Sequence, residues 1–292
     1  YPDNPAMNSR LPSVSPAPAW HAALHLAFAR TGERTVLRDN RHHGPLRVQK
    51  ALYPEGEGVC QAIVLHPPSG IAGGDHLLIS ATVGAGAHAQ LTTPGAGKWY
   101  RSGGPEASQR LELTVEEGAA LEWLPQESIV FDGARARMET RVRLAADSRF
   151  IGWDILCLGR AAAGERFAHG RFDLLCRVER GAGPLWLERS GFDGADPMLA
   201  SPAGWAGHGV GGTLLCAFPD LPRQAAGLLE ALRAIAPGDG ASHGITALPG
   251  VLVARYLGDN SEAARRWLAR LWQILRPACC GRPAVPPRIW NT

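Results

Sequence analysis

Between Leu77 and Trp123 the chain states one pattern twice. Leu77, Ile79, Ala81 and Val83 point one way while His76, Leu78, Ser80 and Thr82 point the other, which is the period of a half-buried strand. Gly84 and Gly86 turn the chain, and Ala87, Ala89 and Leu91 resume the alternation. Displaced by 32 residues, Val83-Gly84-Ala85-Gly86-Ala87 returns as Val115-Glu116-Glu117-Gly118-Ala119, and Leu91 falls on Trp123. A weaker echo starts at Leu144, where Ala145-Ala146-Asp147 turns into Phe150, Ile151 and Trp153. Hairpins recurring at such a period stack in layers, each covering the apolar face of its predecessor; the chance spacing of a β-meander is the alternative.

The same pattern disposes of a tempting motif. Gly95, Gly97 and Lys98 suggest a phosphate-cradling loop, but that loop needs a glycine five residues before its Gly-Lys pair and a Ser or Thr after the lysine. Those places hold Thr92 and Trp99. The glycines are strand corners.

Beyond the repeat, Leu24, Leu26 and Phe28 answer Thr35-Val36-Leu37 across Gly32 as a hairpin, although Trp20, Leu24 and Phe28 also suit a helix. Arg135 to Leu144 alternates an apolar face with a charged one, and strands resume at Phe172 to Val178, Leu185 to Leu187 and Val251 to Leu257. Two helical stripes follow. Leu221, Ala225, Leu228, Leu229, Leu232 and Ile235 form the first; Asn260 caps a second holding Ala264, Trp267, Leu268, Leu271, Ile274 and Leu275, which Pro277 is expected to stop. Three prolines after Cys280 predict an extended tail ending in the apolar Ile289-Trp290. The fold class is therefore mainly β: a stack of antiparallel strand layers, with two α-helices in the C-terminal third. Residues 1–19, rich in Pro, Ser, Asn and Ala, read as a flexible arm, and 20–292 as a single domain with C-terminal helices and tail.

Charge and cysteine usage exclude several classes of partner. Thirty Lys and Arg against 27 Asp and Glu leave only +3, and no basic run tracks an aromatic ladder, so nucleic acid is not an expected partner. No apolar run approaches the ~20 residues of a spanning helix, so neither is a membrane. Cys60, Cys157, Cys176, Cys216, Cys279 and Cys280 sit mostly in apolar strand contexts and read as reduced thiols of a cytoplasmic protein.

No nucleophile elbow, zinc-protease helix or paired-cysteine knuckle is present. His21 and His25 lack the Glu of a hydrolytic zinc helix, and in a strand they merely share a face. Cys279-Cys280 is a poor chelator as an adjacent pair. Carboxylates inside apolar strands are more informative. Glu127 and Asp132 bracket Ser128-Ile129-Val130-Phe131, and Asp154 and Cys157 sit within Trp153-Asp154-Ile155-Leu156-Cys157. Such a carboxylate must be paired, hydrated or ligating, since bare burial costs several kcal/mol. An ion pair with Arg160 is one resolution, a hydrated polar interior the other.

Leu65-His66-Pro67-Pro68 with Gly73-Gly74-Asp75, then Leu91-Thr92-Thr93-Pro94-Gly95 and Lys98-Trp99-Tyr100-Arg101, resemble the urease accessory protein family UreD, called UreH in some bacteria. Leu121-Glu122-Trp123-Leu124-Pro125-Gln126-Glu127, Phe131-Asp132-Gly133, Trp153-Asp154, Cys157-Leu158-Gly159-Arg160 and Pro287-Arg288-Ile289-Trp290 continue the resemblance in order from about Trp20. Gly97 and Trp99 depart from the Thr and Phe expected there, and Cys279-Cys280 from a more apolar pair. The resemblance implies a non-enzymatic chaperone that joins UreF and, through it, the GTPase UreG, and docks on the urease apoprotein so that nickel reaches its active site. It also implies a β-helix-like stack with two helices and a water-filled internal tunnel. On that view Asp75, Glu127, Asp132, Asp154 and Cys157 are transient ligands or tunnel walls for nickel in transit, with no permanently bound cofactor. Weak, spaced carboxylates suit a conduit, because a tight His and Cys cage traps the ion. Trp267, Leu271, Arg288 and Trp290 are the expected partner contacts. The alternatives are a hydrolase or transferase, recognisable by a nucleophile and base in a deep pocket, and a stand-alone β binding module with an exposed aromatic platform, for which Trp186 and Trp205 are candidates.

Overall fold

The computed structural model describes residues 19–291, so all but the last residue of the expected arm over 1–19 lies outside the described residues. β1 (His21–Thr31) and β2 (Arg34–His43) are the expected N-terminal hairpin. β3 (Arg47–Leu52), β4 (Cys60–Leu65) and β5 (Gly70–Ile71) lead into β6 (His76–Val83), β7 (His88–Thr92) and β8 (Gly97–Trp99). The same sequence of elements repeats as β9 (Ala107–Val115), β10 (Ala120–Leu124) and β11 (Ser128–Val130), then as β12 (Arg135–Leu144) and β13 (Arg149–Leu158). β14 (Arg171–Arg180), β15 (Gly183–Asp193), β16 (Val210–Ala217), helix α1 (Leu221–Arg233), β17 (Ser242–Leu248), β18 (Val251–Gly258) and helix α2 (Ser261–Cys280) follow. The fold is mainly β with two helices, wound as a β-solenoid-like stack of about four turns.

The sequence repeat is the turn of this stack. β6 pairs with β9 so that Val83 faces Val115, and His76 and Ser108, 32 residues apart, are opposite one another. β7 pairs with β10 at the same displacement, Leu91 facing Trp123. Both pairings are parallel, where hairpins predict antiparallel layers. The reason is the corner. Gly86 and Gly118 adopt φ of 67° and 64°, and the chain crosses the core there instead of folding back along its own sheet. Strands joined by a corner thus lie in opposite sheets: a seven-stranded sheet ordered β15-β14-β12-β9-β6-β1-β2, and an eleven-stranded one whose main path runs β17-β18-β16-β13-β10-β7-β4-β3. The antiparallel ladders lie at the ends of the stack, and a single antiparallel bridge joins Arg101 to Ala134 within it.

Two cores result. One lies between the sheets and includes Leu24, Ile79, Leu91, Leu113, Leu121 and Phe150; the other lies between the larger sheet and the helices and includes Ile151, Trp153, Trp267, Leu268 and Leu271. β13 serves both, which is why it reads as a nearly continuous apolar run. Its even-numbered residues Phe150, Leu156 and Leu158 face the gap between the sheets, while Ile151, Trp153 and Ile155 face the helices.

Two expectations at the C-terminus are corrected. α2 runs through Pro277 to Cys280, because Leu275, Arg276 and Cys279 are buried and hold the last turn; Gly281, at φ 65°, ends the helix and donates its N–H to the Pro277 carbonyl. The tail does not stay extended either, since Arg288–Asn291 form a short 3₁₀ turn. Trp290 docks between Trp153 and Trp272, at centroid distances of 5.6 and 5.8 Å, and its Nε1 donates to Thr92 Oγ1 at 2.8 Å. Trp290→Ala is expected to lower stability by about 2–3 kcal/mol, read as the shift of a urea unfolding midpoint.

Candidate functional site

The two sheets do not meet in apolar packing along their whole length. In the last turns, strand register places Thr140, Cys176 and Glu188 abreast on β12, β14 and β15, and Asp154, Thr213 and Arg255 abreast on β13, β16 and β18. Asp154 shares the inward side of β13 with Phe150 and Leu156, so the two polar rows face each other across the gap. Arg255 Nη1 bridges it, 2.9 Å from Glu188 Oε1. Two cavities, of about 40 and 720 Å³, share Asp154, Leu174, Glu188 and Thr213 as walls. The larger reaches β17 and β18 at the end of the stack, through Ser242, His243 and Tyr256.

Asp154 is surrounded by protein yet keeps accessible surface, because that surface faces the cavity. Burial, reinforced by the neighbouring Glu188 carboxylate, pushes its acid up to about 7. The group therefore gains and loses a proton close to neutrality. Arg160 does not pair with it; that guanidinium lies 2.5 Å from Glu165 Oε2 and over the Phe131 ring.

The other expected ligands are dispersed, and among the described residues no three His, Cys, Asp or Glu side chains converge as a metal cage. Asp75 is buried and clasps a turn, accepting from the N–H groups of Trp20 and Ala72, each at 2.8 Å, on the wall of a separate cavity of about 650 Å³. Asp132 accepts from the backbone of Ala168 and His169; burial opposes its ionisation, but the His169 hydrogen bond and these N–H groups outweigh burial and hold the carboxyl below its usual range. Glu127 is half-buried beside Cys157, whose thiol is pushed up to about 12 by burial and then by the Glu127 charge, so it is no thiolate near neutral pH. The adjacent free Cys279 and Cys280 thiols are likewise pushed up, Cys279 by burial and Cys280 by its hydrogen bond with Cys279.

Trp267 and Leu271, expected at a partner surface, are instead core, at 1% and 0% exposure. Trp267 donates to the Ile235 carbonyl at 2.7 Å and so ties α2 to the end of α1. Arg288 is exposed. Trp186 and Trp205 pack against the inter-sheet core and offer no exposed aromatic platform. Two Ser–His contacts exist, His25 with Ser80 and His76 with Ser108, both at 2.7 Å, but they stand on the outer face of the smaller sheet instead of in a deep pocket.

A second charged centre escapes the sequence reading. Glu122, on the helix-facing side of β10, is fully buried, as is Arg276 of α2. Arg276 Nε donates to both Glu122 oxygens at 3.0 Å, Trp272 Nε1 donates to Oε2 at 2.7 Å, and His88 Nε2 lies 2.9 Å from Oε1. The far side of the guanidinium meets Glu55 at 2.5 and 3.0 Å. Burial disfavours charge on His88, but the Cys280 sulfur and the Glu122 carboxylate beside it prevail and raise it to about 9. The signal was present, since Glu122 is an acid within Leu121-Trp123-Leu124 just as Asp154 is within its own run.

A profile of the family described as UreD urease accessory protein matches residues 21–291. A Dechloromonas aromatica (strain RCB) protein described as urease accessory protein UreD is 77% identical over 288 residues, covering 98% of this chain and 100% of its own length. Proteins of the same description from Azoarcus sp. (strain BH72) and Pseudomonas aeruginosa PAO1 are each 53% identical, covering 94% and 98% of this chain and 95% and 100% of their own lengths.

Proposed function

Because the chain belongs to the UreD family of urease accessory proteins, with a role in urease maturation, we propose that it is a non-catalytic scaffold and conduit for nickel. In this reading it joins UreF and, through UreF, the GTPase UreG, docks on the urease apoprotein, and passes nickel inward without retaining it. The observation that carries the reading is the polar gap at Asp154 and Glu188 between otherwise apolar sheets. Asp154 offers a carboxylate facing a cavity, Glu188 a second held by Arg255, and Thr213 a hydroxyl. Two carboxylates and water make a site that binds a borderline cation weakly and releases it, which a tight thiolate cage does not. Asp75, Glu127 and Asp132 are then wall residues or way stations, and Cys157 a neutral wall.

The test is co-expression of urease with UreF and UreG, with and without this chain, followed by nickel assay of the purified urease. Nickel content is expected to rise only when the chain is present; equal content in both overturns the reading. For the partner contact, Arg288→Glu is the suitable variant. Arg288 is exposed, whereas deletion of 277–292 also removes the last turn of α2 and the Trp290 anchor. Pull-down of UreF is expected to weaken with Arg288→Glu at unchanged thermal stability, and undiminished capture removes the tail from the interface.

A further inference from the structure

The outer face of the smaller sheet carries a feature unrelated to the interior gap. β1 buries Ala22, Leu24, Leu26 and Phe28, so His21, Ala23 and His25 point away from the core. Register sets His21 opposite His76 on β6, and His76 opposite Ser108 on β9. The two imidazoles are exposed and stand 5.2 Å apart between centroids, tilted by 40°. Ser108 Oγ lies 2.7 Å from His76 Nδ1, which fixes the ring and leaves Nε2 to the solvent side. Two rungs along the same face, past Ala23 and Leu78, His25 Nδ1 lies 2.7 Å from Ser80 Oγ, and His43 of β2 stands opposite Ala23.

We propose that His21 and His76 form a two-imidazole surface site for a borderline divalent cation, completed by water, with Ser108 as the positioning residue. Imidazole is the side chain that Ni²⁺, Cu²⁺ and Zn²⁺ share as a ligand, and two rings on directly paired strands bring two nitrogens to one ion without rearranging the backbone. A hydrogen bond to the second ring nitrogen sets tautomer and orientation, the usual support of a ligating histidine. No third His, Cys, Asp or Glu converges there among the described residues, so water fills the remaining positions and the ion exchanges readily. Two arginines of this sheet are already paired: Arg137, opposite Ser108, with Glu106 at 3.3 Å, and Arg110 with Glu139 at 3.3 Å. The site goes beyond the conduit and stands or falls separately from it.

The experiment uses the purified chain and NiCl₂ alone, with calorimetric titration and diethyl pyrocarbonate labelling read by mass spectrometry. Ni²⁺ is expected to protect His21 and His76 from labelling while leaving His169 and His208 unchanged. His21→Ala or His76→Ala removes this binding, and Ser108→Ala weakens it roughly tenfold. All three side chains lie on the surface side of their strands, so the circular dichroism of each variant is expected to match the parent. Asp154→Asn separates the two sites: protection of the histidine pair persists in it. Equal titration by the parent and the His21→Ala/His76→Ala double variant, absence of protection, or loss of protection in Asp154→Asn each overturns the proposal.

Discussion

Glu122→Ala is expected to cost roughly 3–5 kcal/mol, enough to lower the melting temperature by about 10 °C. The carboxylate is fully buried and accepts from Arg276, Trp272 and His88, so its removal leaves a guanidinium and an imidazolium with Glu55 as the remaining acid beside them. Arg276→Ala is expected to be as damaging, since it strands Glu122 and Glu55 together. The two changes combined cost less than their sum, because each single variant already forfeits the shared interaction; strict additivity in the double-mutant cycle contradicts the network. His88 adds a pH signature. Its folded value, about 9, lies above the ordinary 6.5, so the stability it contributes is complete below pH 6.5 and is lost as pH rises through about 9. Unfolding midpoints measured from pH 6 to 10 are expected to fall across that window in the parent and to flatten in His88→Gln.

Asp154→Asn is expected to act in the opposite direction on stability while damaging function. Asp154 titrates near 7 in the folded chain against 3.8 ordinarily, so the cost of burying its charge is absent below about pH 4 and grows until pH passes about 7. The asparagine variant then gains on the parent across that interval, by up to about 4 kcal/mol at pH 8. If the carboxylate is a step in nickel passage, urease co-expressed with this variant acquires several-fold less nickel although the variant is the more stable protein. A stabilised variant that delivers nickel fully shows that the carboxylate is dispensable. Glu188→Gln provides the contrast: Glu188 neutralises Arg255 across the gap, so its loss destabilises. Opposite effects on stability from two neighbouring acids distinguish a carboxylate that lines a cavity without a cationic partner from one paired with an arginine.

Much of this was legible in the residues. The 32-residue displacement read from Val83 and Val115 is the register of the parallel sheets, and the alternation of β6 and β9 gave their buried faces. Sheet assignment was not legible, because a strand after a glycine corner has the same period whether it turns back beside its predecessor or crosses the core. Pro277 misled for a related reason: local propensity predicts a stop, while burial of Leu275, Arg276 and Cys279 carries the helix one turn further. Asp154 is legible because an acid within an apolar strand must be paired, hydrated or ligating. Its partner Glu188 is not, because the strand around it alternates and the residue looks solvated. The helical stripe identified Trp267 and Leu271 as apolar but not which surface covers them; here it is the chain's own larger sheet.

The span between Glu122 and Arg276 has a consequence for biosynthesis. These residues are 154 positions apart, and a ribosome adding about 5–20 residues per second needs roughly 8–30 s to supply the guanidinium after the carboxylate has emerged. Through that interval the nascent early turns hold Glu122 with His88 but without the Arg276 guanidinium, on a face that α2 later covers, and the apolar surface around it stays open to other chains. Synthesis beside a binding partner that shields this face is therefore expected to raise the soluble yield, and circular permutants that bring α2 earlier are expected to need such shielding less.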